Sequence, residues 1–307
     1  MTLTDLPAFD GSTLSRRDPA VMQRLAHCVS DIGFLTLTHS ALPAAKVEAL
    51  IESYKAFFRL PVSKKRSVDM SRTGANRGWG APRSEQVDPS ANPDYKQVFD
   101  IGFELPAGDP DLERGLAVYA PNQWPEHAPD LRPALESYVT PAMQVARDVL
   151  GALAVAVDLP ASHFDGAFDR PMALLRGNHY PARPKWAGDR DFGIAPHTDY
   201  GCLTLLATDG ASGLEVQRTD GTWLPVTVPP GVFVINFGEM LQSWSGGRVR
   251  ATAHRVKNTK TERVSVPLFF NPSYDTIIAP FGSGDVVHAG DHLERRYRET
   301  YVHLKAS

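Results

Sequence analysis

From Pro171 onward, short runs rich in valine, threonine and phenylalanine are separated by glycine, proline and aspartate at intervals of about ten residues. The runs cover 172–175, 202–207, 214–217, 232–237, 251–256 and 263–269. Strands this short, punctuated this often, stack into a sandwich or barrel rather than βαβ units. No repeat of fixed period runs through them. The chain of 307 residues carries 24 glycines and 25 prolines, above ordinary globular usage, which favours many turns over long helices. An α+β fold is expected, with a jelly-roll core flanked by helices.

The earlier part of the chain has a different texture. Asp18 followed by Pro19 makes an N-cap and first-turn pair, and Val21, Leu25, Cys28, Val29 and Ile32 recur at helical spacing until Gly33 closes the segment. A short strand over 34–38 follows. Val47, Leu50, Ile51, Tyr54, Phe57 and Phe58 form a second amphipathic helix that must stop at Leu60, because Pro61 disfavours helical geometry in the residue before it. Residues 71–125 show no sustained period and are expected as a surface or site-lining loop. A third helix is expected over 132–153, where Leu135, Tyr138, Met143, Val149, Leu150 and Leu153 supply an apolar face despite Pro141. Residues 1–150 thus read as a helix-rich region packed on the core, and 151–307 as the jelly-roll domain with an exposed amphipathic helix near the carboxyl end.

A net charge of −3 and a sequence pI of about 6.4 give no electrostatic reason to expect nucleic acid or an anionic membrane, so a small molecule is the expected partner. Two cysteines, Cys28 and Cys202, lie far apart and predict neither a disulfide scaffold nor a cysteine zinc site. The amino terminus has no basic segment followed by an apolar run, and the longest apolar stretch, 149–157, is too short to span a bilayer. A cytoplasmic protein is expected, as a monomer or homodimer without a membrane partner.

His197 and Asp199 follow the turn at 193–196 and precede the strand at 202. On extended backbone, side chains at i and i+2 point to one face, as two ligands of one metal must. Such a pair is common: His163 and Asp165 form another, in what reads as a helix connection, and are taken as structural. His254, in the run ATAHRV, distinguishes the first pair, because a jelly roll can bring that distant strand beside it. Two histidines and one carboxylate on a β scaffold leave metal positions open, which fits non-haem Fe(II) oxygen chemistry better than a closed zinc site. Arg263 and Ser265 share a strand face, and a guanidinium fork beside a hydroxyl suits a carboxylate, so an acidic co-substrate is expected. Tyr180 and Asn178, in GNHYP, are candidates for the same carboxylate.

The motifs HTDYG, AHRV, ERVSVPLFFNP and NHYP resemble the iron(II) and 2-oxoglutarate-dependent oxygenases of the isopenicillin N synthase-like superfamily. The likeness extends to DIGFLTL, KAFFRLPVSKKRSVDM, RGWG, PNQWP and VINFGEMLQSWSGG, and so covers nearly the whole chain. It implies a double-stranded β-helix with His197, Asp199 and His254 on Fe(II), and Arg263, Ser265, Tyr180 and Asn178 around the distal carboxylate of 2-oxoglutarate. Dioxygen would be the further co-substrate, with succinate and carbon dioxide released as a small molecule is hydroxylated, desaturated or cyclised. Some relatives carry a similar arginine-x-serine pair without using 2-oxoglutarate, so an iron oxidase of that kind is the alternative reading. A non-catalytic jelly-roll binding protein is a further one. The chain departs from many relatives at THSALP and at Glu239, where aspartate is common.

For the substrate, Arg176 shares a face with Tyr180 in a regular strand and is a candidate to hold a carboxylate. Trp79, Phe99, Tyr200 and Phe269 are candidate pocket walls, and Arg298 is a candidate to cap the pocket. Gly246 and Gly247 are expected as a strand turn rather than a phosphate cradle, because no helix start follows them.

Overall fold

The β-rich runs pair into two sheets. The computed structural model describes residues 5–73, 76–188, 190–258, 260–280 and 283–300. Its strands are β1 (Ala8–Asp10), β2 (Phe34–Thr38), β3 (Gly78–Gly80), β4 (Gln97–Gly102), β5 (Leu174–Tyr180) and β6 (Ile194–His197). These are followed by β7 (Leu203–Thr208), β8 (Leu214–Gln217), β9 (Trp223–Val226), β10 (Phe233–Phe237), β11 (His254–Val256) and β12 (Arg263–Phe270). One sheet has eight strands in the order β1-β2-β10-β7-β12-β5-β4-β3, and the other has four in the order β6-β11-β8-β9. The β1–β2 pair is parallel and the other pairs are antiparallel.

Pleat alternation decides what each face of the large sheet does. In β12, Val264, Val266 and Leu268 enter a core shared with Leu50, Tyr54 and Phe57 of helix Ala44–Phe58 and with Leu135, Tyr138 and Val149 of helix Leu131–Ala156. The alternate residues Arg263, Ser265, Pro267 and Phe269 line a cavity. Toward one end of that cavity the two sheets meet through Leu206, Val234, Leu214, Val216 and Val256. The helices thus brace the outer face of the sheet whose inner face carries functional side chains.

Local signals set the helix ends. The Asp18 carboxylate accepts from the N–H groups of Ala20 (3.0 Å) and Val21 (3.4 Å) and caps helix Pro19–Asp31. Gly33 follows with φ of +67°, and a Cβ there would lie 2.3 Å from the Arg250 carbonyl oxygen. The second helix ends at Phe58, ahead of Pro61, and the third runs through Pro141.

Three expectations need correction. Residues 71–125 are not one loop, because β3 and β4 extend the large sheet. Their strand signal is hidden by Lys96 and Asp100, charged residues that are buried among other charges instead of facing solvent. Strands β6 and β9 are only four residues each and contain Pro196 and Pro225, so no run announced them. Gly246 and Gly247, with φ of 64° and 81°, follow the helix Glu239–Trp244 and do not join two strands.

Candidate active site

His197 ends β6 and His254 begins β11, and the register sets them directly opposite each other. Asp199 lies two residues beyond β6, and one ligand atom from each of the three falls within 4.8 Å of the others. Asp199 Oδ1 is 3.8 Å from His197 Nε2 and 3.6 Å from His254 Nε2. His197 Nδ1 is 2.8 Å from the Ala195 carbonyl oxygen and His254 Nδ1 is 3.3 Å from that of Thr252. Donation from those nitrogens leaves both Nε2 lone pairs aimed at the common centre. Asp199 Oδ2 accepts from Thr204 Oγ1 (2.5 Å) and Asn236 Nδ2 (2.7 Å), which frees Oδ1 for the same centre. Burial opposes the charge on Asp199, but the two imidazoles and these hydrogen bonds outweigh it and hold the carboxyl below its ordinary range. Burial and the neighbouring His254 push His197 down, toward the neutral form a metal ligand needs.

The loop carrying Asp199 is packed to a fixed shape. Asn271 accepts from the Cys202 N–H at 2.8 Å, and a Cβ on Gly201 would lie 2.0 Å from Asn271 Oδ1. Asn236 was missed in the sequence, where its signal was a single amide in the otherwise apolar strand FVINF. Thr204, in LTLLAT, gave no comparable signal.

Beside the triad, Arg263 pairs in register with Tyr180, and Ser265 with Asn178, so all four share one sheet face. Arg263 is 2% exposed, its guanidinium lies 5.1 Å from the Tyr180 ring centroid, and its Nε and Nη1 have no hydrogen-bond partner among the described residues. A buried cation with unpartnered donors calls for an anion. The residues present therefore fit both groups implied by the sequence, a divalent iron at the three ligands and a carboxylate at Arg263.

Further along β5, Arg176 is engaged by carboxylates. Its Nε and Nη2 donate to the two oxygens of Asp100 at 2.9 and 2.6 Å, and its Nη1 donates to Glu85 Oε2 at 3.1 Å. Lys96 Nζ also donates to Glu85 and lies 3.6 Å from Asp94 Oδ2. The charge of Arg176 is thus balanced within the protein, which removes the ground for reading it as the anchor of a substrate carboxylate. Replacing Asp100 by alanine strands part of that buried charge, and a loss of about 3 kcal/mol in urea unfolding is expected. An unchanged midpoint would show the pair to be dispensable.

Burial opposes the charge on Glu85, yet Arg176 and Lys96 hold its carboxyl down at about 2, while burial, only partly offset by Lys96, pushes Asp94 up to about 7. The Asp94 contribution is therefore full below its ordinary value of 3.8 and lost as pH rises through about 7. The Glu85 contribution runs the other way, present above 4.5 and lost as pH falls toward about 2. Between about pH 5 and about pH 8 the Asp94 loss runs against the gain from the buried His197, whose lowered range makes stability rise with pH, so the expected result is a difference: relative to the wild type, the urea midpoint of Asp94→Asn should climb with pH across that window.

Tyr200 and Phe269 line the cavity as expected. Phe99 does not: it is fully buried against Phe57 and Trp124, and Trp79 is likewise a core residue. Arg298 points away, with its side chain 72% exposed and 3.6 Å from Glu294. The helix that carries it, Ala289–Thr300, instead gives Leu293, Tyr297 and Thr300 to the cavity wall, so it is not simply an exposed helix. His163 and Asp165 lie outside the cavity lining.

A jelly roll with a two-histidine, one-aspartate cluster between its sheets defines the class of non-haem iron oxygenases. The 2OG-Fe(II) oxygenase superfamily model matches residues 171–272, and the model for the N-terminal region of non-haem dioxygenases in morphine synthesis matches 5–127. The chain is 32% identical to the 2-oxoglutarate-Fe(II) type oxidoreductase hxnY of Emericella nidulans, over 90% of this chain and 82% of that one. It is 29% identical to homoarginine-6-hydroxylase 2-ODD-C23 of Glycine max, over 94% and 92%. A full-length Neurospora crassa protein superimposes with TM-scores of 0.84 in its crystal structure with alpha-KG and 0.82 in that with alpha-KG and thymine, at 26% identity. Those superpositions cover 96% of both chains in the first case, and 98% of this chain and 96% of the Neurospora chain in the second.

The chain belongs to the 2OG-Fe(II) oxygenase superfamily. It is a 2-oxoglutarate and Fe(II)-dependent dioxygenase with His197, Asp199 and His254 as its iron triad. Among the described residues no helix is long and apolar enough to cross a membrane.

Proposed function

We propose that the chain oxidises an unactivated C–H bond of a small molecule, by hydroxylation, desaturation or cyclisation, and releases succinate and carbon dioxide from 2-oxoglutarate. The observation that carries this reading is that one cavity is lined by the triad and by two different sets of side chains. Along the paired strands β5 and β12, Arg263 with Tyr180 and Ser265 with Asn178 form a polar end and Phe269 with Leu174 an apolar one, and Tyr200, Leu293 and Tyr297 complete the lining. In this reading the polar end grips the distal carboxylate, with Arg263 as the fork and Ser265 as a hydroxyl donor. Iron bound at the triad supplies the oxidising power for dioxygen activation coupled to 2-oxoglutarate decarboxylation. The protein's share is positioning and exclusion of water: Asn236 and Thr204 aim Asp199, and Tyr200 and Phe269 hold the substrate C–H close.

Residues 1–150 and 151–307 act here as one catalytic unit, because Glu85 and Lys96 from the first meet Arg176 from the second at the cavity. Support for a small-molecule substrate comes from relatives: homoarginine in the name of the Glycine max enzyme and thymine bound with the Neurospora crassa protein. With Arg176 balanced internally, the substrate need not carry a carboxylate.

A panel of small molecules incubated with Fe(II), 2-oxoglutarate and dioxygen tests the reading. A true substrate should raise succinate release, with an equal amount of product that has gained one oxygen or lost two hydrogens. Oxidised product formed without succinate would overturn it.

A further inference from the structure

We propose that Glu239 and Arg296 are positioning residues that latch the helix Ala289–Thr300, a wall of the substrate side, to the loop carrying His197 and Asp199, so that loading the metal centre orders that wall. The proposal rests on the iron site described above. It begins from Glu239, whose carboxylate touches both the metal loop and the last helix.

Glu239 opens the short helix Glu239–Trp244 and contacts the metal loop twice. Its backbone N–H donates to the Asp199 carbonyl oxygen at 2.8 Å, and its Oε1 accepts from the hydroxyl of Thr198, the residue between two iron ligands. The same Oε1 accepts from Arg296 Nη2 at 3.2 Å, across from the last helix. One carboxylate oxygen therefore joins the metal loop to the wall.

Contacts at the next residue run in parallel. The Arg296 guanidinium sits 4.2 Å from the Tyr200 ring centroid, and His292 Nε2 is 2.8 Å from the Tyr200 carbonyl oxygen. The Tyr200 hydroxyl is 2.6 Å from Thr300 Oγ1. Residues 198–200 are thus held by Glu239 and by the helix that supplies Leu293, Tyr297 and Thr300 to the cavity. Drawing His197 and Asp199 onto one ion fixes Thr198 between them, and Glu239 passes that constraint to Arg296. The Arg296 and Glu239 side chains are 28% and 32% exposed, so their pairing adds little to global stability, and variants should remain folded.

Amide hydrogen exchange of the full chain, with and without Mn(II) and 2-oxoglutarate, tests the latch without needing the substrate. Loading should slow exchange across 289–300 about tenfold, a coupling typical of a side-chain network. In Arg296→Ala and Thr198→Val this protection should shrink to about threefold, because the contacts of Tyr200 with His292 and Thr300 remain, and Thr198→Ser, which keeps the hydroxyl, should restore the full effect. The visible charge-transfer band of anaerobic Fe(II) with 2-oxoglutarate should persist in Arg296→Ala. A band in the wild type with exchange in 289–300 unmoved by loading, or protection in Arg296→Ala as large as in the wild type, would overturn the latch and leave the iron site standing. No band in the wild type would overturn the iron site and the latch with it.

Discussion

A His254→Ala variant is expected to lose the anaerobic Fe(II)/2-oxoglutarate charge-transfer band and more than about 100-fold of its 2-oxoglutarate turnover, since even partners behind a metal ligand typically cost 10–100-fold. Among the described residues three protein ligands converge here, and removing one leaves an imidazole and a carboxylate without the geometry that retains the metal. The fold should survive, because His254 sits at the start of β11 with its ring edge-on to Phe34 at 5.4 Å, and the β11–β8 register does not depend on the imidazole. Asn236→Ala provides the graded comparison. It removes a hydrogen bond to Asp199 Oδ2 but leaves Thr204 and all three ligands in place, so a loss of about 10-fold is expected. A charge-transfer band that persists in His254→Ala would mean that the triad is not the metal site.

The contrast between these residues shows what a sequence makes legible. His197 and Asp199 are readable because two ligands on one strand face obey a fixed period. Arg263 and Ser265 are readable for the same reason, and the runs around them announce strands because their alternate residues are apolar. Asn236 was hidden because its task is set by a partner on another strand, through a register that no local pattern encodes. The network of Glu85, Lys96, Asp100 and Arg176 was hidden twice over. Its charges masked β4, and its pairing turned Arg176 from a candidate anchor into a balanced ion. Phe99 and Arg298 failed for a simpler reason: residue type alone does not say which face of a strand or helix meets the cavity.

Arg263→Ala should raise the KM for 2-oxoglutarate by about two to three and a half orders of magnitude, the equivalent of the roughly 3–5 kcal/mol lost when one partner of a buried, hydrogen-bonded charge pair is removed. Arg263→Lys should fall between, because an ammonium keeps the charge but not the two-pronged geometry. The accompanying change in stability separates a ligand-binding role from a structural one. In the protein alone, Nε and Nη1 of Arg263 are buried without partners among the described residues, a desolvation cost that the Tyr180 ring face offsets only in part. Removing the side chain should therefore leave the apo melting temperature unchanged or raise it, whereas removing a structural arginine would lower it. The stabilisation gained on adding Mn(II) and 2-oxoglutarate, which follows from preferential binding to the folded state, should shrink in the variant at fixed ligand concentration. Thermal unfolding of both proteins with and without ligand reads both quantities. A variant with a lowered apo melting temperature and an undiminished ligand shift would assign Arg263 to the scaffold and require a different group to hold the distal carboxylate.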